Sequence, residues 1–124
     1  MMEQESNIDQ LIAKYFDLLY FGDTSLIDDC FFPEATVNSV VNDEVISINM
    51  DGFRDRLESR PSPSSIDEER IDTLKLIEFE SPTTALAKVE VRILGGRYHD
   101  YLALMKRGED WKIISKVFHR FEIT

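Results

Sequence analysis

A chain of 124 residues with 43% apolar and 31% charged side chains has the size and composition of one ordinary domain, spanning 1–124. Its net charge of −10, from 14 basic and 24 acidic residues, argues against nucleic acid or an anionic membrane surface as a partner, since both need a basic face. Cys30 is the only cysteine, which excludes an internal disulfide, a CxxC redox pair and a cysteine-rich zinc site.

In chain order, Ile8, Leu11, Ile12, Tyr15, Phe16, Leu18 and Leu19 recur at three-and-four spacing. They predict an amphipathic helix with Ser6 or Asn7 as its cap and Gly22 as its stop. Asp23 is placed to cap a second, shorter helix carrying Leu26, Ile27 and Cys30, which Pro33 is expected to end. Thr36 to Val41 and Glu44 to Ile48 read as two strands around an Asn42-Asp43 turn. Met50, Phe53 and Leu57 predict a third helix capped by Asn49. Pro61-Ser62-Pro63-Ser64-Ser65 then separates this helical half from a half made of strands. Residues 70 to 80 are rich in strand formers without clean alternation, which suggests either a bulge or a strand covered on both sides.

From Ala85 to Leu94 apolar and polar residues alternate, and Gly95-Gly96 supplies a two-residue turn. Pairing Leu94 with Arg97 sets Val91 opposite Asp100, Val89 opposite Leu102 and Ala87 opposite Leu104. A second turn at Gly108-Glu109 pairs Leu104 with Ile113, Leu102 with Ser115, Asp100 with Val117 and Tyr98 with His119. Cross-strand partners share a face, so three strands present Ala85, Ala87, Val89, Val91, Ile93, Leu102, Leu104, Trp111, Ile113 and Val117 to the first helix. Tyr98, Asp100, Ser115 and His119 are the polar exceptions. The opposite face carries Lys88, Glu90, Arg92, Arg97, His99, Tyr101, Met105, Lys112, Ile114, Lys116, Phe118 and Arg120, a mixture suited to solvent or to a dimer contact.

Helices followed by a long antiparallel sheet is the order of the nuclear transport factor 2-like superfamily, and two segments carry the likeness. Tyr15 to Val37 resembles the helix, Gly-Asp break, helix and first strand of ketosteroid-isomerase-like members. Tyr98 to Phe118 resembles the closing hairpin of the putative lumazine-binding branch. The resemblance implies an α+β fold, a cone-shaped curved sheet wrapped around N-terminal helices. It also implies a small-molecule cavity, members that are isomerases, dehydratases or polyketide cyclases, and a homodimer. In the isomerase-like members a helical tyrosine donates to an oxyanion, and Tyr15 matches that position. The family's base carboxylate falls on Ser39, which has no basic group of its own.

Asp100 is the sharpest chemical candidate, because the derived register surrounds it with Val91, Val117 and Leu102, where an unpartnered carboxylate is costly. Its diagonal neighbour His119 lies about 7 Å away by sheet geometry, within reach as a proton shuttle. The expected catalytic set is Asp100, His119 and Tyr15. The expected ligand-binding set is Tyr15, Ser39, Tyr98, Asp100, Trp111, Ser115 and His119. A structural carboxylate bound by a backbone N–H or by Tyr15, and a tyrosine serving only the core, are the bland alternatives. Arg54 and Arg56 could reach an anionic ligand at the cavity rim, although solvated helix charges are the simpler account. His99 and His119 fall on opposite faces in this register, so no metal site is expected. Cys30 reads as a buried structural thiol.

No Walker A, G-x-G-x-x-G or G-x-S-x-G pattern occurs, which removes nucleotide-driven chemistry and serine hydrolysis, and no cofactor is expected. No apolar run reaches about 18 residues. Residues Met1 to Leu11 do not form a charged-then-apolar leader, so the chain is expected in the cytoplasm. Two functions remain open. One is a protein that binds a small apolar or aromatic molecule between the first helix and the sheet, extending to cofactor-free isomerase, dehydratase or cyclase chemistry. The other is a non-catalytic dimeric accessory domain.

Overall fold

The computed structural model describes residues 2–123; Met1 and Thr124, the ends of the expected 1–124 domain, lie outside them. Helix α1 (Met2–Phe21) leads through a 3-10 turn (Thr24–Leu26) into the single-turn α2 (Ile27–Cys30). Strands β1 (Phe31–Val41) and β2 (Glu44–Ile48) precede α3 (Met50–Glu58), and a 3-10 turn (Pro63–Ile66) occupies the Pro/Ser segment. Strands β3 (Ile71–Ser81), β4 (Thr84–Ile93), β5 (Gly96–Arg107) and β6 (Asp110–Glu122) complete one curved, open sheet of order β2-β1-β6-β5-β4-β3. Among the described residues only the β1–β6 pair is parallel. The α+β architecture is the one expected.

Local chemistry accounts for most element ends. Asn49 accepts from the Gly52 N–H at 2.9 Å and caps α3 as predicted, whereas Asp23 accepts from the Ser25 N–H and so caps the 3-10 turn rather than α2, whose N-cap is Leu26. Asn42 and Asp43 both adopt positive φ, which a tight hairpin turn requires and which these two residue types tolerate. Helix α1 begins earlier than its expected cap. Its extra turn carries Glu3 and Glu5, which suit a helix N-terminus, and Gln4, whose Oε1 accepts from Trp111 Nε1 at 2.6 Å. Pro33 does not end α2; it lies inside β1, between Phe31 and Thr36, where pairing with β6 is interrupted and no N–H is needed. The irregularity expected in β3 falls between Leu74 and Leu76.

The inner face of β4 and β5 meets Ile8, Ile12, Tyr15 and Leu18 of α1, all essentially inaccessible, and this contact is the core. Two features correct the derived register. The β4–β5 turn is Leu94-Gly95 rather than Gly95-Gly96, so Ile93 faces Gly96 and Asp100 lies opposite Val89. The displacement is two partners, so every side chain keeps its face. Gly96 is buried against Arg120, whose guanidinium a Cβ there would strike, while the Leu94 N–H is held by both Glu68 carboxylate oxygens at 2.8 and 2.9 Å. These contacts place the turn one residue early.

The second correction matters more. Leu104 pairs with Ile113 as derived, but Ala103 pairs with Ser115, leaving Ile114 as a bulge. An extra residue on one strand reverses the faces of everything beyond it. Leu102 therefore lies opposite Lys116, Asp100 opposite Phe118, His99 opposite His119 and Tyr98 opposite Arg120. Lys116 and Phe118 turn inward, whereas Val117, expected in the core, is 47% exposed.

Candidate functional site

Asp100 projects from β5 into the concavity of the sheet and is 2% exposed. The Tyr15 hydroxyl, arriving from the middle of α1, donates to its Oδ2 at 2.6 Å. Lys116 reaches the same oxygen from β6, with Nζ at 3.8 Å, and is itself 5% exposed. Asp100 Oδ1 is equally buried and makes no hydrogen bond to the protein. One carboxylate oxygen thus has a hydrogen-bond donor and a cation beside it, and the other has no partner in the protein.

The Lys116 ammonium stands over three aromatic rings, 5.3 Å from the centroid of Tyr15, 5.5 Å from Phe53 and 5.1 Å from Phe118. Burial lowers its pKa; the Asp100 carboxylate opposes that effect, and the nearby Arg60 and Arg56 guanidiniums reinforce it. Burial also pushes the Tyr15 phenol well above its ordinary value, followed by the charge of Asp100 and the hydrogen bond to it. Tyr15 therefore remains a proton donor to the carboxylate at any physiological pH.

Beside this group opens a cavity of about 510 Å³. Its walls come from the end of α1 (Leu19), β1 (Val37, Ser39), α3 and the residues after it (Phe53, Arg56, Arg60), β4 and β5 (Ile93, Tyr98, Asp100) and β6 (Lys116, Phe118, Arg120). This volume is within the range of small-molecule sites, and mostly apolar walls with a few convergent polar groups are the usual makeup. The cavity lies between the sheet and the Leu19 end of α1, as expected, but α3 supplies much of the opposing wall.

Of the expected site residues, the structure brings Asp100, Ser39 and Tyr98 to the cavity wall and seats Tyr15 directly behind Asp100. The other three are placed differently. His119 contributes to the rim, but the bulge turns its ring to the outer face, where it packs on Phe121 at 4.6 Å and lies opposite His99. The two histidines share a face rather than opposing one another. Among the described residues no group of three His, Cys, Asp or Glu is arranged to hold a metal ion. Ser115 lies at the bulge on the outer side, receiving the Asn38 amide at 3.3 Å. Trp111 sits toward the far end of the sheet, buried against Phe79 and bonded to Gln4, away from the cavity.

Sequence reasoning passed over Lys116 and Arg60 and set Arg56 aside. The available signal for Lys116 was Ile113-Ile114, two adjacent apolar residues that interrupt the alternation begun by Trp111 and Ile113 and offer a place for a bulge. Arg54, weighed with Arg56, instead donates to the Thr24 carbonyl at 3.3 Å. Among the described residues no helix is long and apolar enough to cross a membrane.

The fold and cavity can now be set beside known proteins. A curated relative, the aldolase FrzH of a Cladobotryum species, is 26% identical over 121 residues, covering 94% of this chain and 93% of its own. An NTF2-like protein of unknown function from Shewanella baltica superposes with a TM-score of 0.88 at 22% identity, over 98% of this chain and 97% of that one. A second, from Silicibacter pomeroyi, gives 0.86 at 20% identity over 97% and 98%. These structures share the fold. The family model described as putative lumazine-binding matches residues 3–119. With that match spanning nearly all of its elements, the chain belongs to the putative lumazine-binding family.

Proposed function

We propose that this protein binds a small carbonyl compound in the cavity and moves a proton on it without a cofactor. The observation that carries the reading is the divided carboxylate of Asp100: Oδ2 held by Tyr15 and Lys116, Oδ1 buried and free. In this reading Oδ1 removes a proton from the carbon next to the carbonyl. The Lys116 ammonium stabilises the enolate oxygen that develops, and Tyr15 positions the base. Where a carbon–carbon double bond is conjugated with it, the enolate takes the proton back at the far carbon, which is isomerisation; otherwise it attacks an aldehyde carbon, whose oxygen takes the proton, which is aldol addition. The relative named an aldolase supports this, since aldol chemistry begins with the same proton removal. His119 has no part in it, because its ring lies on the other face of the sheet.

The test is deuterium exchange by NMR over a panel of cyclic and aryl ketones, run beside cleavage of a fluorogenic naphthyl β-hydroxyketone. Enzyme-dependent exchange or cleavage that disappears in a folded Asp100→Asn variant is the expected result. Activity that survives Asp100→Asn, or its absence from the wild type across the panel, would overturn the reading.

A second reading rests on a separate observation. The outer sheet face exposes Tyr101 (53%), Val117 (47%) and Phe121 (39%), which suits a homodimer packed sheet to sheet. In that reading the domain is a dimeric accessory module. Light scattering that returns a monomer mass at micromolar concentration would exclude it.

A further inference from the structure

The wall of the cavity runs against the composition of the chain. Only two of the 24 acidic side chains, Asp100 and Glu122, line it, against four of the 14 basic ones: Arg56, Arg60, Lys116 and Arg120. Lys116 is paired with Asp100, and Arg120 with Glu122. Among the described residues Arg56 and Arg60 form no ion pair. Elsewhere arginines find acids readily: Arg70 takes both Asp17 and Asp72 at 2.8 Å, and Arg107 takes Glu34 at 3.3 Å. Arg92 also lacks a carboxylate partner, but it is exposed on the outer face, where water solvates it; Arg56 is exposed too, at the cavity.

Arg60 is placed differently, being half-buried at the cavity. Burial pulls its pKa below the ordinary guanidinium value; Tyr98 opposes that effect, and the charge of Arg56 reinforces it. The charges of both arginines also bear on Lys116. Holding Arg60 partly out of water beside the like charges of Lys116 and the exposed Arg56 is unfavourable unless an opposite charge joins it. A protein so rich in carboxylates that supplies none at this point leaves the counter-charge to a ligand.

We propose that the molecule taken by this cavity carries an oxyanion, a carboxylate or a phosphate, held by Arg60 and Arg56, with its apolar body against Phe53, Phe118 and Ile93. Guanidinium groups suit either anion because their planar fork makes paired, charge-assisted hydrogen bonds. The inference rests on the reading of the cavity as a ligand site and adds the class of ligand to it. It also adds a coupling: an anion at the arginines offsets their repulsion of Lys116, so binding favours the charged ammonium that the proposed chemistry uses.

The experiment is calorimetric titration of three matched probes, naphthoate, naphthyl phosphate and the neutral naphthamide, into the wild type and into Arg60→Gln, Arg56→Gln and Arg92→Gln. Thermal unfolding of each variant reports that it is folded. One or both anions are expected to bind at least about tenfold more tightly than naphthamide at low salt, with the preference shrinking as salt rises. Arg60→Gln should remove most of that preference and Arg56→Gln part of it, Arg60→Lys should restore some, and Arg92→Gln should leave it unchanged. The tighter of the two anions identifies the group. Equal binding of naphthamide and the anions, or full anion affinity in the Arg56→Gln, Arg60→Gln double variant, would overturn the anion proposal and leave the cavity reading standing. No binding of any probe to the wild type at millimolar concentration would overturn both.

Discussion

Strand β6 is two surfaces joined at Ile114. Before the bulge, Trp111 and Ile113 point into the core beneath α1, where packing is dry and Ile113 is inaccessible. Beyond it, Lys116, Phe118 and Arg120 line the cavity, and the groups they meet are a carboxylate, aromatic faces and other cations. Both halves face the concave side of the same sheet. The difference shows how one inserted residue changes a strand's inward-facing set from hydrophobic to chemical while the hydrogen-bonded ladder resumes on either side. Stability is concentrated in the first half, and the second half retains polarity at a cost that only its own pairing offsets.

Breaking the polar half should have the largest effect. Asp100→Ala leaves Lys116 buried without its counter-charge and the Tyr15 hydroxyl without its acceptor, and a loss of about 3–5 kcal/mol in urea unfolding is expected. Adding Lys116→Met should recover much of that loss, because the second charge no longer needs a partner; no recovery would mean that Asp100 matters through packing alone. In the dry half, Ile113→Ala should cost about 2–5 kcal/mol through lost burial and the cavity left behind. It should leave probe binding at the cavity unchanged, and a changed affinity would show that the two halves are coupled.

Tyr15→Phe sharpens the comparison, since Tyr15 belongs to the core by packing and to the site by its hydroxyl. Removing the hydroxyl alone should cost about 1–3 kcal/mol, with Asp100 Oδ2 then resting on Lys116 alone. The smallest effect is in pH. Burial pushes the Cys30 thiol up from 9.0 to about 12 and the Tyr15 phenol up from 10.0. Both groups hold their protons longer in the folded chain than in the unfolded one. Their contribution is fully present below the unfolded values and falls as pH rises above them, by about 1.4 kcal/mol per pH unit per group. Lys116 has the opposite sign: its folded pKa lies below 10.5, so its penalty lessens as pH rises towards that value. Urea unfolding between about pH 9 and 10 should therefore show Cys30→Ala losing less stability with rising pH than the wild type does, by up to about 1.4 kcal/mol per pH unit. An unchanged slope in that variant would place the titration elsewhere.

Much of this arrangement was legible along the chain because it is local. The spacing of Ile8, Leu11, Ile12 and Tyr15 specifies a helix face, Asn49 caps α3, Asn42-Asp43 makes a turn, and the alternation from Ala85 to Ile93 assigns the inner face of β4. Asp100 stood out for the same reason, as a carboxylate among inward-facing apolar positions. The far half of β6 was not legible, because two registers satisfy the pattern equally. Val117 inward with Phe118 outward scores no differently from the reverse, and His119 and Arg120 are polar in either case.

The sequence by itself determined the elements, their order and the inward set on α1, β4 and most of β5, because these follow from periodicity and from turn chemistry within a few residues. Only the tertiary structure decided which groups meet at the site. Lys116 enters because it finds Asp100 and Tyr15 from other elements, and Arg120 follows because Gly96 leaves room for its guanidinium. Arg60 reaches the cavity because α3 is laid across the concave face. A one-residue slip reverses every side chain beyond it, so contacts between residues distant in the chain, rather than any local preference, select one face over the other.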